Sequence, residues 1–167
     1  RLQLDPAALG VSEAAIAQFA LRVPEGFVAR MRVGDAADPL LRQVLPVDEE
    51  MRPAPGFSFD AVGDGAARKA TGVIQKYRGR ALLVATGSCA INCRYCFRRH
   101  FPYAEETAAA NRWQAAIAAL QADPSLTEAI LSGGDPLSLS NAKLAEFTAA
   151  LASMPSIRRV RLHTRLP

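Results

Sequence analysis

Ala81-Leu82-Leu83-Val84-Ala85, continued through Thr86-Gly87-Ser88 into Cys89-Ala90-Ile91-Asn92-Cys93-Arg94-Tyr95-Cys96, is the stretch that decides the fold. An unbroken apolar run of this length suits a strand buried on both faces of a parallel sheet; a half-exposed strand would alternate. Downstream the same grammar repeats. Asn111 and Gln114 have capping-box spacing, and Trp113, Ile117 and Leu120 share one helical face up to Asp123-Pro124. Ala129-Ile130-Leu131 is a second short apolar strand, closing at Ser132-Gly133-Gly134. Ser140 is a candidate cap for a helix with Leu144, Phe147 and Leu151 on one side, stopped by Met154-Pro155, and Ile157, Val160 and Leu162 open a third strand. Strand, helix, strand, helix, strand predicts parallel pairing through right-handed crossovers and an α/β fold. Ligand sites in such folds lie beyond the carboxyl ends of the strands. The cysteines and Gly133-Gly134 both fall there.

Upstream, a helical layer is expected. Ser12 is a candidate N-cap with Glu13 in the first turn, and Ile16, Phe19, Ala20 and Val23 recur at helical spacing until Pro24 and Gly26 stop the pattern. Asp38-Pro39 repeats the signal ahead of Leu40, Leu41, Val44 and Leu45. Residues 46–65 carry Pro46, Pro53, Pro55, Gly56, Gly63 and Gly65 among mixed charges and read as a loop or wrapping linker. The expected organisation is therefore a helical region with its linker over residues 1–64 and an α/β domain over residues 65–167.

Composition narrows the class. The 167 residues are 50% hydrophobic and 22% charged, with no apolar stretch near the roughly 20 residues that span a bilayer. The +4 formal charge is modest and spread along the chain, so neither a nucleic-acid partner nor a membrane is expected. Three cysteines and no fourth argue against a disulfide scaffold and for the reducing cytoplasm, where clustered thiols carry metal or redox chemistry. No targeting segment is visible, and the first residue is Arg1.

Cys89, Cys93 and Cys96 are the strongest chemical feature. Three thiolates from one loop suit a metal-sulfide cluster, since each sulfur binds one iron. A four-iron cube held by three thiolates leaves one iron open to a non-protein ligand. Two blander readings stand beside this one: three buried thiols, or a structural zinc site completed by His100. Ser132-Gly133-Gly134-Asp135-Pro136 is an ordinary turn on its face. Glycines at a strand end also let a ligand approach the backbone, and Pro136 biases Asp135 away from helix. Arg98-Arg99 reads by default as a solvated basic pair.

The C-x3-C-x2-C pattern with Tyr95 before its last Cys resembles that of radical S-adenosylmethionine enzymes. The stretch from Thr86 to Tyr103 is similar to the lysine 2,3-aminomutase branch. Gln75-Lys76-Tyr77-Arg78-Gly79-Arg80-Ala81 and Cys96-Phe97-Arg98-Arg99-His100-Phe101-Pro102-Tyr103 look most like the members that supply (R)-β-lysine for elongation factor P. The resemblance covers essentially the whole chain and is most specific from Gln75 to Pro136.

The resemblance implies a fold, a reaction and a set of roles. The fold would be a partial parallel (β/α) barrel, truncated after about three strands. Cys89, Cys93 and Cys96 would hold a 4Fe-4S cluster whose open iron is chelated by S-adenosyl-L-methionine. Reductive cleavage would give a 5′-deoxyadenosyl radical, which takes hydrogen from C3 of lysine carried on pyridoxal 5′-phosphate while the amino group moves from C2 to C3. Ser132, Gly133, Gly134 and Asp135 match the motif at the S-adenosylmethionine amino group, and Tyr95 the aromatic site near its adenine. Thr164 and Arg165 approach the same cofactor, with a charged strand end as the equal alternative. Arg98 matches the residue that pairs with the substrate carboxylate, where a planar fork suits an amino acid. Arg80 and Lys76 match positions near the pyridoxal phosphate, although Lys76 stands where the family carries arginine.

None of Lys69, Lys76 or Lys143 matches the lysine that carries that cofactor, so the chain reads as a fragment of a longer enzyme, inactive alone. An electron donor such as flavodoxin or ferredoxin is implied, and the oligomeric state stays open.

Overall fold

The computed structural model describes residues 1–107 and 113–166, which divide into a unit made of Arg1–Ala61 with Ala90–His100 and a unit made of Val62–Cys89 with Phe101 onward. In the first unit Ser12 caps α1 (Glu13–Gln18), its Oγ accepting from the Ala15 amide at 3.2 Å. The helix is shorter than its apolar spacing predicts. Phe19 is already extended at φ −145°. The carbonyls of Phe19, Ala20 and Arg22, which a longer helix would use internally, accept instead from Arg94 Nη1, Asn92 Nδ2 and the Asn92 amide. Where Pro24 and Gly26 were expected only to break the chain, the four-residue α2 (Glu25–Val28) forms, with Pro24 at its N-cap. Asp38 caps α3 (Pro39–Arg42) as its sequence predicts: Oδ1 accepts from Leu40 and Leu41, while Oδ2 accepts from the Arg32 amide.

Residues 46–65 are less irregular than expected. They contain a 3-10 turn, Asp48–Met51, and Val47 bridges to Val11. The small core of this unit is Met31, Leu41 and Val44, and Ile91 of the cysteine loop packs against it.

The second unit is a mixed α/β sheet of five strands, two more than the apolar runs predict. The additional pair is the antiparallel hairpin β1 (Arg68–Ala70) and β2 (Val73–Tyr77), which continues antiparallel into β3 (Arg80–Thr86). Gly79, at φ 77°, makes the tight turn between Tyr77 and Arg80. The short α4 (Tyr103–Glu106) follows the cysteine loop, and α5 (Gln114–Gln121) follows it in turn. The capping box expected at Asn111 lies outside the described residues. β4 (Glu128–Gly133) pairs parallel with β3, α6 (Asn141–Ala152) starts at the Ser140 cap as expected, and β5 (Arg159–Leu162) pairs parallel with β4. Ile157 precedes β5, and its side chain belongs to the core.

The parallel part matches its sequence signal. β4 is buried from Glu128 through Ser132, as a strand covered on both faces should be. By alternation Ala81, Leu83 and Ala85 share a face with Ala129 and Leu131, and all five join Leu120, Phe147 and Leu151 of the helices in one core. Trp113 completes it. Its ring stacks on Phe147 at 4.6 Å, and its buried Nε1 donates to the Ala85 carbonyl at 3.2 Å.

Candidate metal centre

All three cysteines are reduced and half-buried. Cys89 ends a segment of the second unit, whereas Cys93 and Cys96 belong to the first. In the first unit the C-x2-C pair occupies one tight turn, closed by the Cys96 amide on the Cys93 carbonyl at 3.1 Å. A second such bond runs from the Arg99 amide to the Cys96 carbonyl at 3.2 Å. Among the described residues no three His, Cys, Asp or Glu side chains gather as a preformed metal site. That arrangement is ordinary for thiolate sites, whose ligands come together as the metal binds and the thiols lose their protons. The donors themselves fit an iron-sulfur cluster: soft sulfur, on a short loop, accessible to solvent.

The residue that sequence reasoning overlooked is Arg94, between two of the cysteines. It is buried, and all three nitrogens of its guanidinium donate hydrogen bonds. Nε donates to Glu50 at 2.9 and 3.1 Å, Nη2 to Glu50 Oε2 at 2.6 Å and to the Ala15 carbonyl at 3.1 Å, and Nη1 to the Phe19 carbonyl at 2.6 Å. Its backbone amide donates to the Gln43 carbonyl at 2.8 Å. Glu50 also takes the Arg99 guanidinium at 2.6 Å and the Val47 amide at 3.1 Å. Burial would raise the Glu50 carboxyl, but the hydrogen bonds from Arg94, Arg99 and Val47 outweigh it and hold the group below the ordinary carboxylate range. The signal in the sequence was a charged residue inside a run that folds inward, together with Glu50 in a segment read as linker.

Arg98 and Arg99 are therefore not a solvated pair. Arg98 is buried with its guanidinium over the Phe97 ring at 4.7 Å, and Arg99 joins Glu50 and lies over Phe19 at 5.6 Å. Tyr95 is more than half exposed, its hydroxyl 3.2 Å from Gln43 Oε1. His100 packs on Phe59, ring centroids 4.5 Å apart, and burial followed by the Arg99 charge lowers its pKa.

In the second unit the carboxyl ends of three strands converge on Asp135. Gly134 donates its amide to the Thr86 carbonyl at 2.8 Å, and Asp135 donates its own to the Ser88 carbonyl at 2.7 Å. The buried Asp135 carboxylate accepts from the Leu137 amide at 2.9 Å and the Thr164 hydroxyl at 2.7 Å on Oδ1. Its Oδ2 accepts from the Arg165 amide at 2.7 Å and the Leu166 amide at 3.3 Å. Gly133, Gly134, Asp135, Thr164 and Arg165, named separately from sequence, are thus one assembly. Ser132 is buried on β4 just before it.

The two glycines are required by the chain itself. At Gly133, φ is +108° and a Cβ would lie 2.5 Å from the Thr86 carbonyl oxygen; at Gly134 it would run into the Ser88 carbonyl. The segment leading into Cys89 rests directly on the Gly-Gly turn. Lys76 and Arg80 have other partners. Lys76 Nζ is paired with the buried Asp64 at 2.6 Å and donates to the Val62 carbonyl. The exposed Arg80 guanidinium sits 5.6 Å from the Tyr77 ring centroid.

A family model described as "4Fe-4S single cluster domain" matches residues 77–158, which include all three cysteines and the Gly-Gly turn. The chain is 49% identical over 149 residues to the L-lysine 2,3-aminomutase of Escherichia coli K12, covering 89% of this chain and 43% of that protein. The corresponding proteins of Haemophilus influenzae and Buchnera aphidicola are 44% and 42% identical over the same share of the chain, 44% of each of their lengths. The chain therefore spans less than half the length of these curated relatives. No helix among the described residues is long and apolar enough to cross a membrane.

Proposed function

Because the chain belongs to the lysine 2,3-aminomutase family, we propose that it is the cluster-bearing part of an isomerase that converts L-lysine to β-lysine. The observation that carries this reading is the 49% identity over 89% of the chain, across a loop holding three reduced thiols and no fourth. Cys89, Cys93 and Cys96 would hold a 4Fe-4S cluster. Together with bound S-adenosyl-L-methionine, such a cluster would supply radical chemistry able to take a hydrogen atom from an unactivated substrate position.

The chain's own residues aim and shelter that chemistry. Asp135, by gathering Thr164 and the Arg165 amide to the end of β4, fixes a polar rim beside the segment that leads into Cys89. Ser132 to Asp135, Thr164, Arg165 and the exposed ring of Tyr95 are the residues we assign to S-adenosyl-L-methionine. Arg98 is assigned to the substrate carboxylate, with Phe97 against its guanidinium face to fix the fork.

Pyridoxal 5′-phosphate enters through the family resemblance. Lys76 is already engaged by Asp64, so of the two residues matched to that cofactor Arg80 is the better candidate for its phosphate. Parallel β3, β4 and β5, with helices α5 and α6 between them, support a (β/α) barrel of which this chain forms the opening strands. The (R) product, its use on elongation factor P, a flavodoxin-like or ferredoxin-like electron donor and a cytoplasmic setting complete the proposal.

Two experiments test it. Anaerobic reconstitution of the chain with iron and sulfide should give a brown protein holding about four irons, lost when any one of the three cysteines is changed to serine. A colourless protein with one tightly bound zinc would overturn the assignment. At the relatives' full length, the protein with S-adenosyl-L-methionine, pyridoxal 5′-phosphate, dithionite and L-lysine should form β-lysine. Deoxyadenosine released with lysine unchanged would point to another substrate.

A further inference from the structure

We propose that Glu50 and Arg94 are a positioning pair for the metal centre: their ion pair fixes the turn that presents Cys93 and Cys96 before any metal arrives, and thereby sets how firmly the cluster is held. The inference rests on the assignment of those thiols to an iron-sulfur cluster.

Arg94 stands between the two cysteines of the turn, one residue after Cys93 and two before Cys96. A side chain so placed would usually be solvated. Here it is turned inward, and its three nitrogens find Glu50, the Ala15 carbonyl and the Phe19 carbonyl at 2.6 to 3.1 Å. Its guanidinium carbon lies 5.1 Å from the Phe19 ring centroid. The partners come from two places distant in sequence: the end of α1 and the 3-10 turn at Asp48–Met51. Glu50 in turn is oriented by the Val47 amide and by Arg99, which follows Cys96 and whose Nη1 reaches back to the Arg94 carbonyl at 3.3 Å.

Glu50 thus ties together two arginines that bracket Cys96, and the Arg94 and Asn92 amides anchor the same loop on Gln43 and Arg22. Alternative conformations of the turn would require pulling a guanidinium bonded through all three nitrogens out of a buried site, or leaving Glu50 buried without it. Either is costly, because an ion pair of this kind is expensive to break from one side. The turn is consequently held in one arrangement, with its two thiols half-buried. Groups that orient ligands in this way typically change metal affinity by about 10- to 100-fold when removed.

The test compares Glu50→Gln, Arg94→Lys and Asp38→Ala with the wild-type chain, all reconstituted anaerobically. Asp38 caps α3 in the same unit, its carboxylate accepting from the Leu40, Leu41 and Arg32 amides, so its variant reports a general loss of stability. Iron release to a chelator is followed together with the electron paramagnetic resonance spectrum of the dithionite-reduced cluster. Glu50→Gln and Arg94→Lys should release iron about tenfold faster and give a broadened spectrum, with Asp38→Ala at the wild-type rate and line shape. Should Glu50→Gln fail to fold, Arg94→Lys carries the comparison, since it keeps the charge and loses the fork. Equal release rates and identical spectra in all four proteins overturn the pair's role. Equal acceleration in Asp38→Ala does so too, by reducing the effect to stability. A wild-type chain that takes up no cluster overturns the cluster assignment itself.

Discussion

The amide of Asp135 donates to the carbonyl of Ser88 over 2.7 Å, so the turn after β4 holds the residue that immediately precedes Cys89. Gly134 makes that approach feasible, because any side chain there would occupy the place of the Ser88 carbonyl. Gly134→Ala should therefore cost about 1–3 kcal/mol, as overpacking does, and lower the iron content after reconstitution. Gly133→Ala adds the strain of φ +108° and should cost more. Urea unfolding and iron analysis on the two variants check both statements.

Asp135 accepts four hydrogen bonds, and both of its oxygens face donors only. Asp135→Asn preserves the shape but turns an amide N–H toward two of those donors. A loss of roughly 2 kcal/mol is expected, the scale of a buried group left unsatisfied. Thr164→Val removes one donor and leaves the other three, so its loss should be about half as large. Equal losses in the two variants would contradict this order.

Glu50 is more acidic in the folded protein than in the unfolded chain, so its ionised form favours folding at pH above the ordinary glutamate value of 4.5. That contribution fades as the pH falls through the lower folded value. The stability gap between wild type and Glu50→Gln should be widest near neutrality and close below pH 4.5. Asp38 and Asp123 are shifted the same way, the first by backbone hydrogen bonds from Arg32 and Leu41, the second by the Ser125 hydroxyl and then the Ser125 amide. Some acid sensitivity should accordingly persist in the variant. Denaturation curves across this range provide the measurement.

Trp113 is the single tryptophan, stacked on Phe147 and bonded to Ala85. Phe147→Ala should cost about 3–5 kcal/mol and shift Trp113 emission to the red in the folded state, since it opens a cavity against the indole. Trp113→Phe keeps the stack and loses one buried hydrogen bond, worth about 1 kcal/mol. Fluorescence and thermal unfolding distinguish the two.

The parallel strands were legible because a strand buried on both faces needs an uninterrupted apolar run, and β3 and β4 have one. The β1–β2 hairpin was not. Arg68-Lys69-Ala70 is mostly exposed, and Val73 and Ile74 are the only buried residues of β2, too few to set a period. The Arg78-Gly79 turn was the available clue. Asp38 and Ser140 announced their helices because a cap is a local, one-residue signal, whereas the early end of α1 depends on Asn92 and Arg94, more than seventy residues away. The three thiols were visible as a spacing. Arg94 was not, since nothing in the string Cys-Arg-Tyr-Cys distinguishes a guanidinium in water from one folded under the chain.

The division of the chain has a consequence for its biosynthesis. Residues 90–100 complete the unit begun by Arg1–Ala61, and Glu50 emerges 44 residues before Arg94. The nascent amino-terminal segment therefore waits, with an acidic side chain lacking its counterion, until the cysteine loop has left the ribosome. Closure of that unit and ordering of the turn that carries Cys93 and Cys96 become a single event, and a polypeptide halted before residue 100 would offer iron no ordered landing place.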